Sequence, residues 1–173
     1  MMTETDYKIT IIAMTPGCKP IHNFDKFFYK SMQKLPPLEY SEKEQVFAIE
    51  MYKNYFLKEP NDQKELLYRG INEPTGLAPY IPGSTDVGYL THLVPTSRLV
   101  GLGIVKDLPM HSWGSVACAG SPIGFKAANY AGMAQAQCIY DILKEPEVIN
   151  TWWDELKSYK IDKDIKPIFP AKV

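Results

Sequence analysis

The longest helical pattern in the chain covers residues 121–144, SPIGFKAANYAGMAQAQCIYDILK. Ser121 is a suitable N-cap, and Pro122 follows at the first helical position, where its missing N–H costs no hydrogen bond. Small residues, which let another element come close to the helix backbone, recur along the pattern: Gly124, Ala127, Ala128, Ala131, Gly132 and Ala134. These features predict a long helix that packs tightly against a sheet.

Three further helices are predicted, at residues 23–35, 41–58 and 147–160. Asn23 is a plausible N-cap for the first of them. Ser41 and Glu44 have the spacing of a capping box, which makes the start of the second helix the clearest in the sequence. Residues 59–83 are rich in turn formers and are predicted to be loop.

Two apolar stretches with β-branched residues are typical of strands, at 7–14 (YKITIIAM) and 96–105 (TSRLVGLGIV). Gly101 and Gly103 in the second stretch would allow close backbone approach. The order of strand, two helices, loop, strands and two helices predicts a layered α/β fold, with the chain short enough for one domain.

The first strand has no hairpin partner before it, so it needs a partner from later in the chain or from another chain. We therefore expect a homodimer that pairs residues 7–14 or buries the apolar surfaces FDKFF (24–28) and WW (152–153).

Composition bears on several classes of protein. With 45% hydrophobic and 23% charged residues the chain is typical of a globular domain, and its net charge of −1 without a basic block gives no reason to expect a nucleic-acid partner. No apolar run reaches the roughly 18 residues that span a membrane, and the start MMTETDYK does not resemble a signal peptide, so we expect a cytoplasmic protein without a membrane partner. Three widely spaced cysteines without a CxxC pair are expected to be reduced thiols.

Only three histidines occur: His22, His92 and His111. No two of them are four residues apart, and neither HExxH, GxSxG nor a phosphate-binding loop is present. For His22 and His92 the simplest interpretation is a solvated ring or a hydrogen bond to the backbone. The residues by themselves therefore do not define a complete active site.

The order of several motifs is nevertheless specific. GSTDVG (83–88), VPT (94–96), HSW (111–113) and SPIGFKAANYAGMAQAQ (121–137) follow one another with an apolar stretch between the second and the third. This order resembles the C-terminal end of the M20-type metallopeptidase and amidohydrolase family, and within that family it is most similar to the aminobenzoyl-glutamate hydrolases. The resemblance extends from about residue 7 to residue 160.

The resemblance implies a fold and a function. Residues 1–20 would be the last strand and turn of the family's lid domain, and residues 21–173 the C-terminal part of its three-layer α/β catalytic domain. The intact family enzyme would use zinc or manganese to hydrolyse the amide bond of an N-acyl amino acid such as p-aminobenzoyl-glutamate.

The resemblance also assigns roles to individual residues. His111 matches the family's C-terminal metal-ligand histidine. Asp86, with Ser84 and Thr85, falls in the loop next to the metals, where it would either orient a ligand or cap backbone N–H groups of its own loop. Asn23 matches a lid residue that can contact the substrate carboxylate, but His22 stands before it where the family has proline, and helix capping is the favoured explanation. Trp113 is expected to pack under the histidine loop.

The other metal ligands and the general-base glutamate of the family come from an N-terminal portion with no counterpart in this sequence. One neutral imidazole binds a divalent metal weakly, so we expect the chain to be inactive alone. Two hypotheses follow. The chain supplies His111 to an amidohydrolase when joined with the missing N-terminal half, or it is a non-catalytic remnant or interaction domain that associates with itself.

Overall fold

The computed structural model describes residues 5–10, 15–76, 85–101 and 103–159. Within these residues the regular structure is helical, and the helices are α1 (His22–Met32), α2 (Glu42–Phe56), α3 (Val87–Leu93), α4 (Trp113–Ala119), α5 (Pro122–Lys144) and α6 (Val148–Ser158). Across the same residues, no helix is long and apolar enough to cross a bilayer.

The α/β three-layer prediction is wrong, because the described residues form no sheet. A single antiparallel bridge joins Leu67 to Val105, next to a hydrogen bond from Lys106 N to Leu66 O of 2.9 Å. Tyr7 and Ile9, from the first predicted strand, are exposed, and residues 11–14 lie outside the described residues. Strand-forming side chains do not produce a strand where no neighbouring backbone satisfies the hydrogen bonds.

Helix α5 was predicted correctly, but it packs against helices α1 and α4 and the segment around Gly103 instead of a sheet. A Cβ atom on Gly103 would lie 2.8 Å from Ala127 Cβ, and one on Gly124 would lie 2.5 Å from Ala119 O. Glycine at these two positions therefore lets three chain segments meet around the start of α5. The close approach expected at Gly103 is present, with a helix as its partner.

The starts of α1 and α2 are stabilised differently. Ser41 and Glu44 form the predicted capping box, in which Glu44 Oε2 accepts from Ser41 N at 2.6 Å. Asn23, by contrast, is not an N-cap: Ile21 holds that position, and Asn23 lies inside α1. Glu155 of α6 replaces the missing cap, accepting from His22 N at 2.7 Å and from Asn23 N at 3.0 Å.

The aromatic residues of α1 and α6 face each other inside the molecule. The Phe24 and Trp152 rings stack with centroids 3.9 Å apart, and Phe27 meets Trp152 edge-on at 5.4 Å. Ile21 and Leu156 complete this core. Most of the aromatic side chains of FDKFF and WW are therefore at least partly covered within one chain, and the expected homodimer stays a prediction.

A buried carboxylate links α1 to α5. Asp141 Oδ2 accepts from Ser31 Oγ at 2.7 Å and pairs with Lys34 Nζ at 2.8 Å, while its Oδ1 accepts from Gln137 Nε2 at 3.0 Å. Burial alone would raise the pKa of Asp141, but the hydrogen bonds from Lys34, Ser31 and Gln137 outweigh it, so the pKa lies below its ordinary value of 3.8. The charged form is thus the one that stabilises the fold.

Replacing Trp152 should be far more costly than replacing its neighbour. Trp152 is 4% exposed and Trp153 is 36% exposed, so we expect Trp152→Ala to lower the free energy of unfolding by about 3–5 kcal/mol and Trp153→Ala by less than half of that. Urea unfolding followed by circular dichroism measures both. Equal losses would contradict the packing of Trp152 between α1 and α6.

Replacing Asp141 should change how stability depends on pH. A lowered folded pKa means that the stabilisation is complete above the ordinary value of 3.8 and is lost as the pH falls through the folded pKa. We expect Asp141→Asn to be less stable at neutral pH by about 1–3 kcal/mol, with the difference shrinking in acid. The control is Asp154→Asn, whose carboxylate forms an exposed pair with Lys157 and whose replacement should cost little. A difference for Asp141→Asn that stays constant down to pH 3 would count against this mechanism.

Candidate metal site

His111 lies on an exposed loop directly before α4. The loop is fixed on both sides of the histidine. On one side Leu108 is buried in the core formed with α2. On the other, Ser112 is the N-cap of α4: it accepts from Ser115 N at 3.3 Å and donates to Pro109 O at 2.8 Å. An exposed imidazole on a rigid loop is a suitable donor for a metal ion.

Trp113, the first residue of α4 after the loop, makes an aromatic contact with helix α2. The ring centroid of Trp113 lies 5.2 Å from that of Tyr55, and Tyr55 meets Phe56 edge-on at 5.0 Å. Trp113 remains largely exposed, so it lies beside the loop on the surface of α2 instead of beneath it as expected. His111 and Trp113 are both exposed.

Thr85 and Asp86 lie at the start of α3, and Ser84 lies outside the described residues. Thr85 Oγ1 accepts from Val87 N and donates to Asp86 Oδ1, each at 3.4 Å. Asp86 occupies the N-cap position but makes no side-chain cap hydrogen bond, and it is exposed. Of the two roles considered for Asp86, capping of backbone N–H groups is not seen among the described residues, and the orientation of a ligand remains untested.

His92 is held inside the molecule by the segment before α1. Its Nε2 donates to Gly17 O at 2.9 Å, and Thr91 Oγ1 on the same helix accepts from Lys19 N at 2.9 Å. The Nδ1 atom of His92 is buried without a hydrogen-bond partner in the described structure. The hydrogen bond to the backbone confirms the structural interpretation of His92, although the residue lies on a helix that sequence patterns did not reveal.

Asn23 lines a shallow groove between α1 and α6. The groove has a volume of about 300 Å³, and its other walls are formed by Lys26, Phe27, Lys30, Val148, Thr151 and Trp152. Lys26 and Lys30 are cationic, so the surroundings are compatible with a carboxylate. The backbone N–H of Asn23 donates to Glu155. The contact of its side chain with a substrate stays a prediction.

The described residues do not hold a complete metal site. No three histidine, cysteine, aspartate or glutamate side chains come together there with the geometry to bind a metal ion. An imidazole is a usual donor for zinc or manganese, and a metal set that included His111 would need donors from outside the described residues.

Glu44 of α2 and Lys126 of α5 form a close charge pair. Lys126 Nζ lies 2.6 Å from Glu44 Oε2 and donates to Glu39 O at 2.9 Å. Burial raises the pKa of Glu44, but hydrogen bonds from Lys126 and Ser41 outweigh this effect, so the pKa lies below its ordinary value. These contacts connect the start of α2 to α5, so a structural role accounts for the pair.

Comparisons of the chain with protein-family models, with curated proteins and with solved structures found no match.

Proposed function

We propose that this chain is the C-terminal portion of a metal-dependent amidohydrolase, to which it contributes His111 as one metal ligand. The supporting observation is the placement of His111: its imidazole is exposed on a loop fixed by Leu108 and by the N-cap of α4. A ligand that completes a site shared with a second polypeptide, or with a further segment of a longer chain, needs both exposure and rigidity.

The proposed reaction is the hydrolysis of the amide bond of an N-acyl amino acid such as p-aminobenzoyl-glutamate. The order of motifs from GSTDVG to SPIGFKAANYAG supports this substrate class. Zinc or manganese would polarise the amide carbonyl and activate water, and both tasks require several ligands. The described residues bring no such set together, so the chain alone is inactive under this proposal. The cytoplasm is the proposed compartment, where Cys18, Cys118 and Cys138 stay free thiols.

The test joins this chain with its complement. A neighbouring reading frame that encodes a metal-binding histidine motif and a pair of adjacent glutamates should, when co-expressed, give metal-dependent release of p-aminobenzoate from p-aminobenzoyl-glutamate. We expect His111→Ala to lower this activity by more than about 100-fold, because it removes a metal ligand, and His22→Ala to leave it intact.

Three outcomes would contradict the proposal. They are metal-dependent turnover by this chain alone, full activity of the His111→Ala complex, and the absence of coding sequence for the complementary portion both beside this sequence and within the same reading frame. Circular dichroism of each variant separates loss of the ligand from loss of the fold.

A second candidate function is supported by helix α5. This helix is apolar on its buried face, and its opposite face is exposed and also apolar, with Phe125, Ile139 and Leu143 at 60%, 58% and 75% exposure. A helix that is apolar on both faces is typically buried on both faces. This observation supports a non-catalytic module that associates with itself.

Sedimentation velocity at increasing protein concentration tests the second candidate. We expect the sedimentation coefficient to rise with concentration, because association covers apolar surface. A coefficient that stays that of a monomer over the whole range would exclude self-association.

A further inference from the structure

We propose that two copies of this chain associate through the outer face of helix α5, with the two α5 helices parallel. The inference rests on the self-association proposed above and names the surface and the arrangement. The surface, which we call the α5 seam, consists of Phe125, Asn129, Gly132, Ala136, Ile139 and Leu143.

Spacing is the first argument for the seam. Its residues are separated alternately by four and three positions, which is the repeat that keeps one stripe of a helix facing a partner helix over several turns. All six residues are exposed. On the other side of α5, Ala127, Ala134 and Asp141 are buried in the chain's own core, so the seam points directly away from it.

Charge is the second argument, and it favours a copy of the same chain as the partner. None of the six seam residues is charged, and the exposed residues beside them are uncharged at Ala128, Met133, Gln135 and Tyr140, with Lys144 the cation at the C-terminal end of the helix. A two-fold arrangement brings each residue close to itself, so a charged seam would repel its own copy. Here, self-association places no like charges together along the seam.

Shape is the third argument. Gly132 and Ala136 occupy the middle of the seam, and a Cβ atom added to Gly132 would meet nothing within 4 Å. Larger side chains lie towards the ends, with Phe125 at one and Ile139 and Leu143 at the other. Small residues at the centre allow two helix backbones to approach closely while the larger side chains pack on either side.

Asn129 decides the orientation. It is the one polar residue of the seam, and a buried amide needs a hydrogen-bond partner. In a parallel pair, each residue lies opposite its own copy, so Asn129 can bond Asn129 of the partner subunit. In an antiparallel pair with the same seam, Asn129 would face Ile139 of the partner subunit and remain unsatisfied. Asparagine at a single seam position is a known way to fix the register of parallel helices.

The size of the seam predicts a weak dimer. From Phe125 to Leu143 it is about 27 Å long, and with a helix about 10 Å wide it covers roughly 270 Å² on each copy. Stable interfaces cover about 800 Å² on each partner, so this one should dissociate on dilution.

Two matched variants test the surface. We expect Ile139→Glu to remain monomeric at concentrations where the wild type dimerises in sedimentation velocity, because it places two carboxylates opposite each other. The control, Val46→Glu, changes an exposed aliphatic residue on α2 in the same way and should dimerise like the wild type. If circular dichroism shows that Ile139→Glu is unfolded, Leu143→Lys at the more exposed end of the seam takes its place.

Cysteine cross-linking tests the orientation. In a parallel pair, Leu143→Cys should cross-link to its own copy under mild oxidation, well above the wild-type background from Cys18, Cys118 and Cys138. A mixture of Phe125→Cys and Leu143→Cys chains of different mass should give no mixed product.

Each failure has a separate meaning. A wild type that is monomeric at every concentration overturns self-association itself. A dimer that persists in both Ile139→Glu and Leu143→Lys overturns the seam while leaving self-association standing. Mixed cross-links between positions 125 and 143 overturn the parallel arrangement alone.

Discussion

Helix α5 is the element on which the rest of the structure depends, because its inner face contributes buried residues to two of the three hydrophobic clusters of the described residues. Ile123, near its start, packs with residues of α2 and α4, whereas Ala134 and Cys138 pack with Phe28 and Met32 of α1. No other helix contributes buried residues to both of these clusters among the described residues. The small side chains along this face let both α1 and α4 pack closely against α5.

Local sequence rules predicted part of the fold correctly. The capping box at Ser41 and the proline at the start of α5 depend only on residues within one helical turn, so a sequence contains all the information that they need. The prediction of a strand at 96–105 was wrong because a strand depends on a partner backbone that is distant in sequence. Val105 forms only a single bridge to Leu67. Helices α3 and α4 were missed because seven residues are too few for a periodic pattern.

The candidate site also combines features that local sequence determines with features that depend on distant contacts. The sequence placed His111 on a loop, and the structure has it there, exposed and directly before the unpredicted helix α4. Its role as a metal ligand stays a prediction, because no three potential donors come together in the described residues. Asn23 illustrates the limit more sharply. The residue that caps its helix is Glu155, and no local pattern connects two positions so far apart in the chain.

The cap that Glu155 provides for α1 also has a consequence for the order in which the protein can be made. His22 at the start of α1 is synthesised 133 residues before its cap, Glu155. The stacking partner Trp152 and the Tyr159 hydroxyl, which donates to Pro20 O at 2.7 Å, also follow long after α1. Contacts between residues this distant in sequence form late, since most of the chain must be ordered first. During translation the aromatic face of α1 therefore stays uncovered until α6 has been synthesised, which leaves apolar surface open to association with other chains.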